Sequence, residues 1–165
     1  MAVPPGVPAD GNLRIAFITT YESGTLLAAT VTAGVDLSCY FTADGFNRGL
    51  NEQALTDDRL CTTQSGEDPG RYNETLDIIG VYDQQNATPA ENLLYTTLPS
   101  GTKGFIVARY ALPYTQAWAA TDIVDVIAVT AGKQMKNSPA ANEKLKISQK
   151  LFIPADGVVT DQVLT

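Results

Sequence analysis

The sequence predicts a mainly β protein, an antiparallel β-sandwich or barrel with one short α-helix, and three observations lead to that fold class. Many short segments rich in Val, Ile, Thr and aromatic residues are separated by turn-forming residues. Only one segment carries a clear helix start signal. The length of 165 residues, with 44% hydrophobic and 18% charged residues, is that of one globular domain covering residues 1–165.

Five segments show the apolar patterns of β-strands. Residues 13–17 alternate between apolar and other residues at period two, which predicts a strand with one buried face. Residues 103–110 and 121–130 are apolar on both faces, as expected of strands buried between two layers. Residues 74–82 are also apolar on both faces. Residues 144–153 alternate between apolar residues and a polar face that carries lysines.

The helix start signal lies at Thr88, which is suited to cap a helix N-terminus. Pro89 follows at the first helical position and Glu91 stands three residues after the cap. The predicted helix runs to about Leu98. Residues 25–33 are ambiguous between a second short helix and irregular structure.

Three segments are predicted to lie outside the core and to make contacts with other molecules. Residues 1–12 form a proline-rich extended arm, residues 57–73 a long polar loop, and residues 154–165 a C-terminal arm with a possible edge strand. Residues 37–42 are predicted as a short strand, with residues 49–56 pairing near it.

Composition excludes several classes of function. The chain has no histidine, which removes histidine-based triads, histidine metal ligands and an imidazole acid or base. A net charge of −7 argues against a surface that grips nucleic acid. Cys39 and Cys61 are expected to be reduced, partly buried thiols. Residues 1–10 lack the features of a signal peptide, and no apolar run is long enough to span a bilayer.

Several short segments occur in an order that resembles the one found in the major tail tube proteins of long-tailed actinobacterial phages. The first are DLSCYFTADGF at residues 36–46, DDRLCT at 57–62 and PGRY at 69–72, before TLDI. Later segments of the same pattern are GFIVAR at 104–109, PY at 113–114, DIVDV at 122–126 and LKISQKLF at 145–152. The resemblance covers the chain from about Asn12 onward.

This resemblance implies a structural role without catalysis or a cofactor. Proteins of the family form rings, commonly hexameric, that stack into a hollow tube in the virion through which DNA passes without specific binding. The implied partners are further copies of the chain, a tape measure protein in the lumen, and terminator and baseplate proteins at the tube ends. Assembly is expected in the cytoplasm of the bacterial host, with no membrane involved.

Two sets of residues are candidates for roles in such a tube. Candidates for subunit or ring-stacking contacts are Asp57, Asp58, Arg59, Arg71, Tyr114 and Trp118. Candidates for an acidic lumen are Glu74, Asp77, Asp122 and Asp125. Simpler interpretations compete with both sets. The charged contact candidates would lie in a solvated loop with a local ion pair, and Tyr114 and Trp118 would form a small aromatic cluster under the 111–120 connection. The lumen candidates would be ordinary surface acids.

Other functions compete with the tube. A β-sandwich carbohydrate-binding module would use Tyr110, Tyr114 and Trp118 as a stacking platform. A tail terminator or connector would form a single ring. An enzyme using Asp57 or Asp58 as its acid lacks any second catalytic group in the sequence. Lys144, Lys146 and Lys150 form a basic stripe, which is expected to be solvated or to pair with acids of another subunit because aromatic residues are not interleaved with it.

Overall fold

The computed structural model describes residues 3, 5–86 and 88–165, and only the backbone of Pro89. Residues 1, 2 and 4 of the predicted arm lie outside the described residues. The described chain is built from strands joined by short connections, with two short α-helices. The elements are β1 (Leu13–Ile18), α1 (Ala28–Ala33), β2 (Val35–Asp36), β3 (Phe41–Asp57), β4 (Gly66–Val81), α2 (Leu93–Thr97), β5 (Lys103–Tyr110), β6 (Ile123–Ala131), β7 (Met135–Lys136), β8 (Lys146–Phe152) and β9 (Val158–Val163).

The strands form one antiparallel sheet in the order β2-β1-β5-β6-β8-β4-β3, with β7 added on β8 and β9 on β6. Strand β6 is the branch point, because one edge pairs with β5 while the other pairs first with β9 and then with β8. The path is not closed into a barrel within the described residues. The predicted mainly β, antiparallel fold class is confirmed.

The sheet buries apolar side chains on both faces of its central strands. One core lies where β1, β5 and β6 face β4 and β8, and it includes Ile106, Ile127 and Leu151. A second core lies on the opposite face, where Val107 and Val126 meet α1 and the chain after β9. Burial between two layers was predicted for 103–110 and 121–130 and is confirmed.

The predicted long loop at 57–73 is wrong. Strands β3 and β4 form a hairpin that is paired as far as Asp57 and Gly66, so the connection is only residues 58–65. The prediction failed because neither face of this part of the hairpin is buried, and an unburied strand shows no apolar alternation. Pro69 is tolerated in β4 because the register shifts there, which removes the need for its missing N–H.

The predicted strand at 37–42, with 49–56 beside it, is also wrong. Residues Ser38–Tyr40 form a 3₁₀ turn. The Ser38 side chain donates to the Asp36 carboxylate and its Oγ accepts the N–H of Ile15, which draws the chain out of an extended path. Residues 49–56 pair with β4 instead.

The helical region begins near the predicted signal but is interrupted. Residues Pro89–Glu91 form a 3₁₀ turn and α2 follows from Leu93. The break lies at Asn92, whose side chain hydrogen-bonds both backbone groups of Asp83, at 3.2 and 2.8 Å. Such side-chain bonds to backbone compete with helix formation. The ambiguous 25–33 segment contains α1.

The C-terminal segment packs within its own subunit. Strand β9 pairs with β6, Leu164 is buried in the second core, and the Thr165 N–H donates to the Leu26 carbonyl at 3.0 Å. The prediction of a free C-terminal arm that contacts other molecules is therefore wrong, whereas the predicted edge strand in this segment is confirmed. Cys39 and Cys61 are free thiols, and both are exposed rather than partly buried.

Candidate assembly surfaces

The outer half of the β3–β4 hairpin stands away from the rest of the subunit. From residue 51 to residue 69 every residue is exposed. Four large apolar side chains project from the hairpin: Leu50, Leu55, Leu60 and Tyr72. A two-stranded hairpin is marginally stable alone in water, so a projecting hairpin with four exposed apolar side chains is suited to pack against another surface. This half of the hairpin is therefore a candidate assembly surface.

The hairpin also carries a concentrated negative charge. Residues 51–73 contain five acidic residues, at 52, 57, 58, 67 and 68, and two arginines, which gives a net charge of −3. Arg59 Nε donates to the Asp57 carboxylate at 2.9 Å, and Ser65 donates to Asp58. Asp57, Asp58 and Arg59 are thus brought together at the tip, where an exposed ion pair contributes little stability. Arg71 is exposed on β4.

Arg48 connects the hairpin base to the opposite layer. Its guanidinium is hydrogen-bonded to Asp125 of β6, lies 3.8 Å from the Glu74 carboxylate and donates to the Tyr110 hydroxyl at 3.4 Å. Burial opposes the charged form, but the bonds to Tyr110 and Asp125 outweigh it and raise the pKa of Arg48. The Arg48–Asp125 pair thereby links the base of the hairpin to β6.

Strand direction gives the subunit two distinct ends. Because β4, β8, β6, β5 and β1 are successively antiparallel, the end of β5 and the start of β1 lie toward the hairpin tip. Direct contacts agree, since Arg48 reaches Tyr110, and the Tyr114 N–H donates to the Gly11 carbonyl at 2.9 Å. The N-terminal segment therefore leaves the subunit at the same end as the hairpin, here called the hairpin end.

The opposite end contains a lysine-rich segment. This end includes the end of β1, the end of β4 and the segment 133–146. The segment 133–146 alone holds four lysines and one glutamate, a net charge of +3, while Asp44 lies beside Lys144 and Lys146, and Asp83 follows β4. Helix α2 joins these parts, because Leu94 packs directly on Gly80. Met135 and Leu145 are exposed in the same segment. This surface is here called the lysine end.

The sheet edges are the third candidate surface. Strand β3 lies at one edge of the sheet, and its outer side has no strand partner among the described residues. The other edge ends at the two-residue strand β2. Unpaired edges offer backbone donors and acceptors to another strand, and a seventeen-residue edge such as β3 is long for a protein that acts alone.

Comparison with known proteins identifies the class. The family model described as phage tail tube protein matches residues 1–165. The chain belongs to this family. The tail tube family makes it a structural component of a phage tail and hence of the virion.

Solved structures resemble this tail tube family member in fold. A chain of the anti-feeding prophage baseplate, determined by cryo-EM with six-fold symmetry, matches with a TM-score of 0.51 at 12% identity, over 93% of this chain and 94% of that chain. A chain of the anti-feeding prophage cap, which terminates the tube, matches with a TM-score of 0.49 at 12% identity, over 97% and 95%. No curated protein sequence matches significantly.

The four acids predicted for the lumen lie in different environments in this tail tube protein. Asp122 is only 7% exposed and pairs at 2.6 Å with Arg109, which is fully buried. It is therefore removed from the candidates for a lumen surface. Glu74 and Asp125 share Arg48. Asp77 is exposed on β4 and lies opposite Lys150 in the register of β8.

Trp118 is 8% exposed and lies in the second core, so it is not a surface anchor. Two guanidinium groups contact its ring, with Arg14 at 5.1 Å and Arg109 at 4.8 Å from the ring centroid. Tyr114 is exposed. Because Trp118 is buried, Tyr110, Tyr114 and Trp118 do not form an exposed stacking platform. The carbohydrate-binding alternative depended on that platform and has no further support.

The remaining site chemistry is limited. Among residues 3, 5–86 and 88–165, no group of three or more acids or cysteines is placed to hold a metal ion. Within the same residues, no helix is both long and apolar enough to cross a membrane.

The sequence analysis did not identify Arg48 and Arg109 as functional residues. A signal existed for Arg109, because it is a charged residue inside the most apolar predicted strand.

Proposed function

We propose that this protein is the repeating subunit of a phage tail tube, in which rings of the chain stack into a hollow conduit for DNA. The observation that carries the proposal is the outer half of the hairpin, which is exposed along its length within the subunit. This half of the hairpin carries both acidic residues and exposed leucines, and it does not pack against the rest of its subunit. We therefore expect it to pack against a surface of another molecule. In a tail tube family member that surface belongs to another copy.

The two ends of the subunit supply a matching surface. Residues 51–73 of the hairpin carry a net charge of −3 with exposed leucines, and the segment 133–146 at the lysine end carries +3 with exposed Met135 and Leu145. Copies stacked in one direction bring opposite charges and apolar side chains together. A contact between two different surfaces propagates along an axis instead of closing on itself as a dimer. Within a ring, pairing the β3 edge with a neighbouring subunit removes an exposed strand edge.

The finer roles follow from this tube. The tape measure protein occupies the lumen, and terminator and baseplate proteins bind the ends. The phage is of the long-tailed type that infects actinobacteria, and the tube assembles in the host cytoplasm. Asp77, Glu74 and Asp125 remain the lumen candidates, while Asp57, Asp58, Arg59, Arg71 and Tyr114 remain the contact candidates. The protein has no catalytic role.

Negative-stain electron microscopy over a protein concentration series tests the proposal. Long hollow tubes or stacked rings are the expected result. Single rings that never stack would assign the protein to a terminator or connector role instead. A monomer at every concentration would overturn the proposal.

A charge-swap experiment tests which surfaces stack. Glu67→Lys with Asp68→Lys on the hairpin, or Lys136→Glu with Lys144→Glu at the lysine end, should each raise the critical concentration for tube formation about tenfold, since loss of about 1.4 kcal/mol per contact has that effect. A single chain that combines all four changes should assemble again, because the charges of both surfaces are then reversed. Lys150→Glu, an exposed reversal on β8 outside both the 133–146 segment and the outer half of the hairpin, is the control. Failure of the four-fold variant to recover would contradict the pairing of these two ends.

A further inference from the structure

A shallow groove crosses the lysine end beside helix α1. It is lined by Phe17 and Ile18 at the end of β1, by Ala29 and Ala33 of α1, and by Thr97 after α2, with a cavity volume of about 640 Å³. A second depression of about 260 Å³ shares Thr20 and Thr30 with it. The two together form one elongated groove, the α1 groove, along the face of the helix.

The two depressions of the α1 groove differ in charge, because the smaller one is lined by Glu22 among other residues. The larger depression is lined by apolar, threonine and glycine residues, with no charged side chain. A depression of this kind favours an apolar ligand that carries no charge. Small side chains such as Ala29 and Ala33 leave room for the backbone of an extended segment to come close.

The N-terminal segment has the matching chemistry. Residues 1–9 contain no charged side chain and include the run Val-Pro-Pro-Gly-Val-Pro. Its described residues are exposed, Val3 and Val7 among them. Proline-rich segments are extended before they bind, so docking costs them little conformational entropy. Eight extended residues span about 25 Å, long enough to follow a groove of this kind.

The positions of the arm and the groove select the occupant. The arm leaves the subunit at the hairpin end, where Gly11 is bonded to Tyr114, and the α1 groove lies at the other end of β1. Copies stacked in the same direction therefore bring the arm of one subunit to the groove of the next. We propose that the α1 groove binds the N-terminal arm of a second copy of this chain. The proposal rests on the stacked tube proposed above and names a second contact within it.

Cross-linking between different copies tests this contact. All variants carry Cys39→Ser and Cys61→Ser, because both native thiols are exposed. One chain also carries Val7→Cys and a second carries Ala33→Cys, and the two are mixed, assembled and treated with a short bismaleimide. The control replaces Ala33→Cys by Thr32→Cys, an exposed position on α1 that does not line the groove.

The expected result is a Val7–Ala33 cross-link at least about tenfold more abundant than the Val7–Thr32 control, since docking holds the two thiols at a high effective concentration. Tubes that form with equal or negligible cross-linking would overturn the groove contact and leave the tube intact. A third chain carries both Val7→Cys and Ala33→Cys and is diluted into an excess of chain that has neither cysteine. Cross-linking within this chain, with none between the two single variants, would also overturn the contact, because the arm would then occupy its own groove. Failure of all variants and the unmodified protein to assemble would overturn the tube and this contact together.

Discussion

Arg109 shows how a single buried charge holds a long connection in place. Its guanidinium pairs with Asp122 and donates to the carbonyls of Pro113, Gln116 and Ala117 at 2.7 to 3.0 Å. Arg109 is therefore the main side chain that binds the connection between β5 and β6 to the core, and Trp118 packs against it. Arg14 adds one bond to the Gln116 carbonyl. A residue that satisfies so many buried acceptors is structural, which explains a charge inside an apolar strand.

Asp122→Ala should be one of the most destabilising single changes in the protein. It leaves Arg109 buried without its counter-charge, a situation that typically costs about 3–5 kcal/mol of the free energy of unfolding. Urea unfolding followed by Trp118 fluorescence measures the change. Asp57→Ala, which breaks the exposed pair with Arg59, is the control and should cost no more than about 1 kcal/mol. Equal effects of the two changes would contradict the buried role of Asp122.

Cys61 provides a native probe of the hairpin tip. Its thiol is exposed in the connection between β3 and β4, the region proposed to contact another ring. In a Cys39→Ser variant, maleimide labelling of Cys61 should be rapid below the assembly concentration and at least about tenfold slower in tubes, as access to a reagent governs thiol reactivity. Mass spectrometry follows the label. Unchanged labelling in assembled tubes would place the tip outside the contact.

At the scale of elements, the sequence predicts buried strands well and exposed strands poorly. Residues 103–110 and 121–130 correspond to β5 and β6 because burial on both faces selects β-branched residues. Neither face of the outer half of the hairpin is buried, so no apolar pattern is required there. Its polar sequence therefore cannot be distinguished from that of a loop. The acids at the tip, Asp57 and Asp58, were predicted as surface residues because they begin a polar, turn-rich segment and because of the family resemblance. The Arg48–Asp125 pair joins residues far apart in the chain and requires the sheet order, which one sequence does not contain.

The two termini make opposite contributions to the subunit. Residues 5–10 are exposed, whereas Leu164 is fully buried in the second core and β9 covers an edge of β6. Removal of residues 1–10 should leave the thermal unfolding midpoint nearly unchanged. Removal of residues 158–165 should unfold the subunit or lower its midpoint strongly, since loss of a buried leucine alone costs about 2–5 kcal/mol. Circular dichroism measures both, and a stable C-terminal truncation would contradict the packing of β9.

At the scale of the whole molecule, the hairpin and the lysine end make the subunit electrically polar despite its acidic net charge. Two electrostatic effects then oppose each other during assembly. Net repulsion between copies acts over long distances, while the hairpin-to-lysine contact acts at close range. Their different ranges allow ionic strength to separate them.

Tube assembly should therefore be strongest near physiological salt and weaker on either side. At 0.01 M salt the screening length is about 30 Å, comparable to the subunit, so repulsion between chains of charge −7 opposes assembly. At 1 M it is about 3 Å, which weakens the ion pairs of the contact while leaving its apolar part. Light scattering across a salt series measures the extent of assembly. In a Glu67→Gln, Asp68→Asn variant the decline at high salt should shrink, because the contact has fewer ion pairs to lose. A steady rise to 1 M in the unmodified protein would mean that apolar contacts alone hold the rings together.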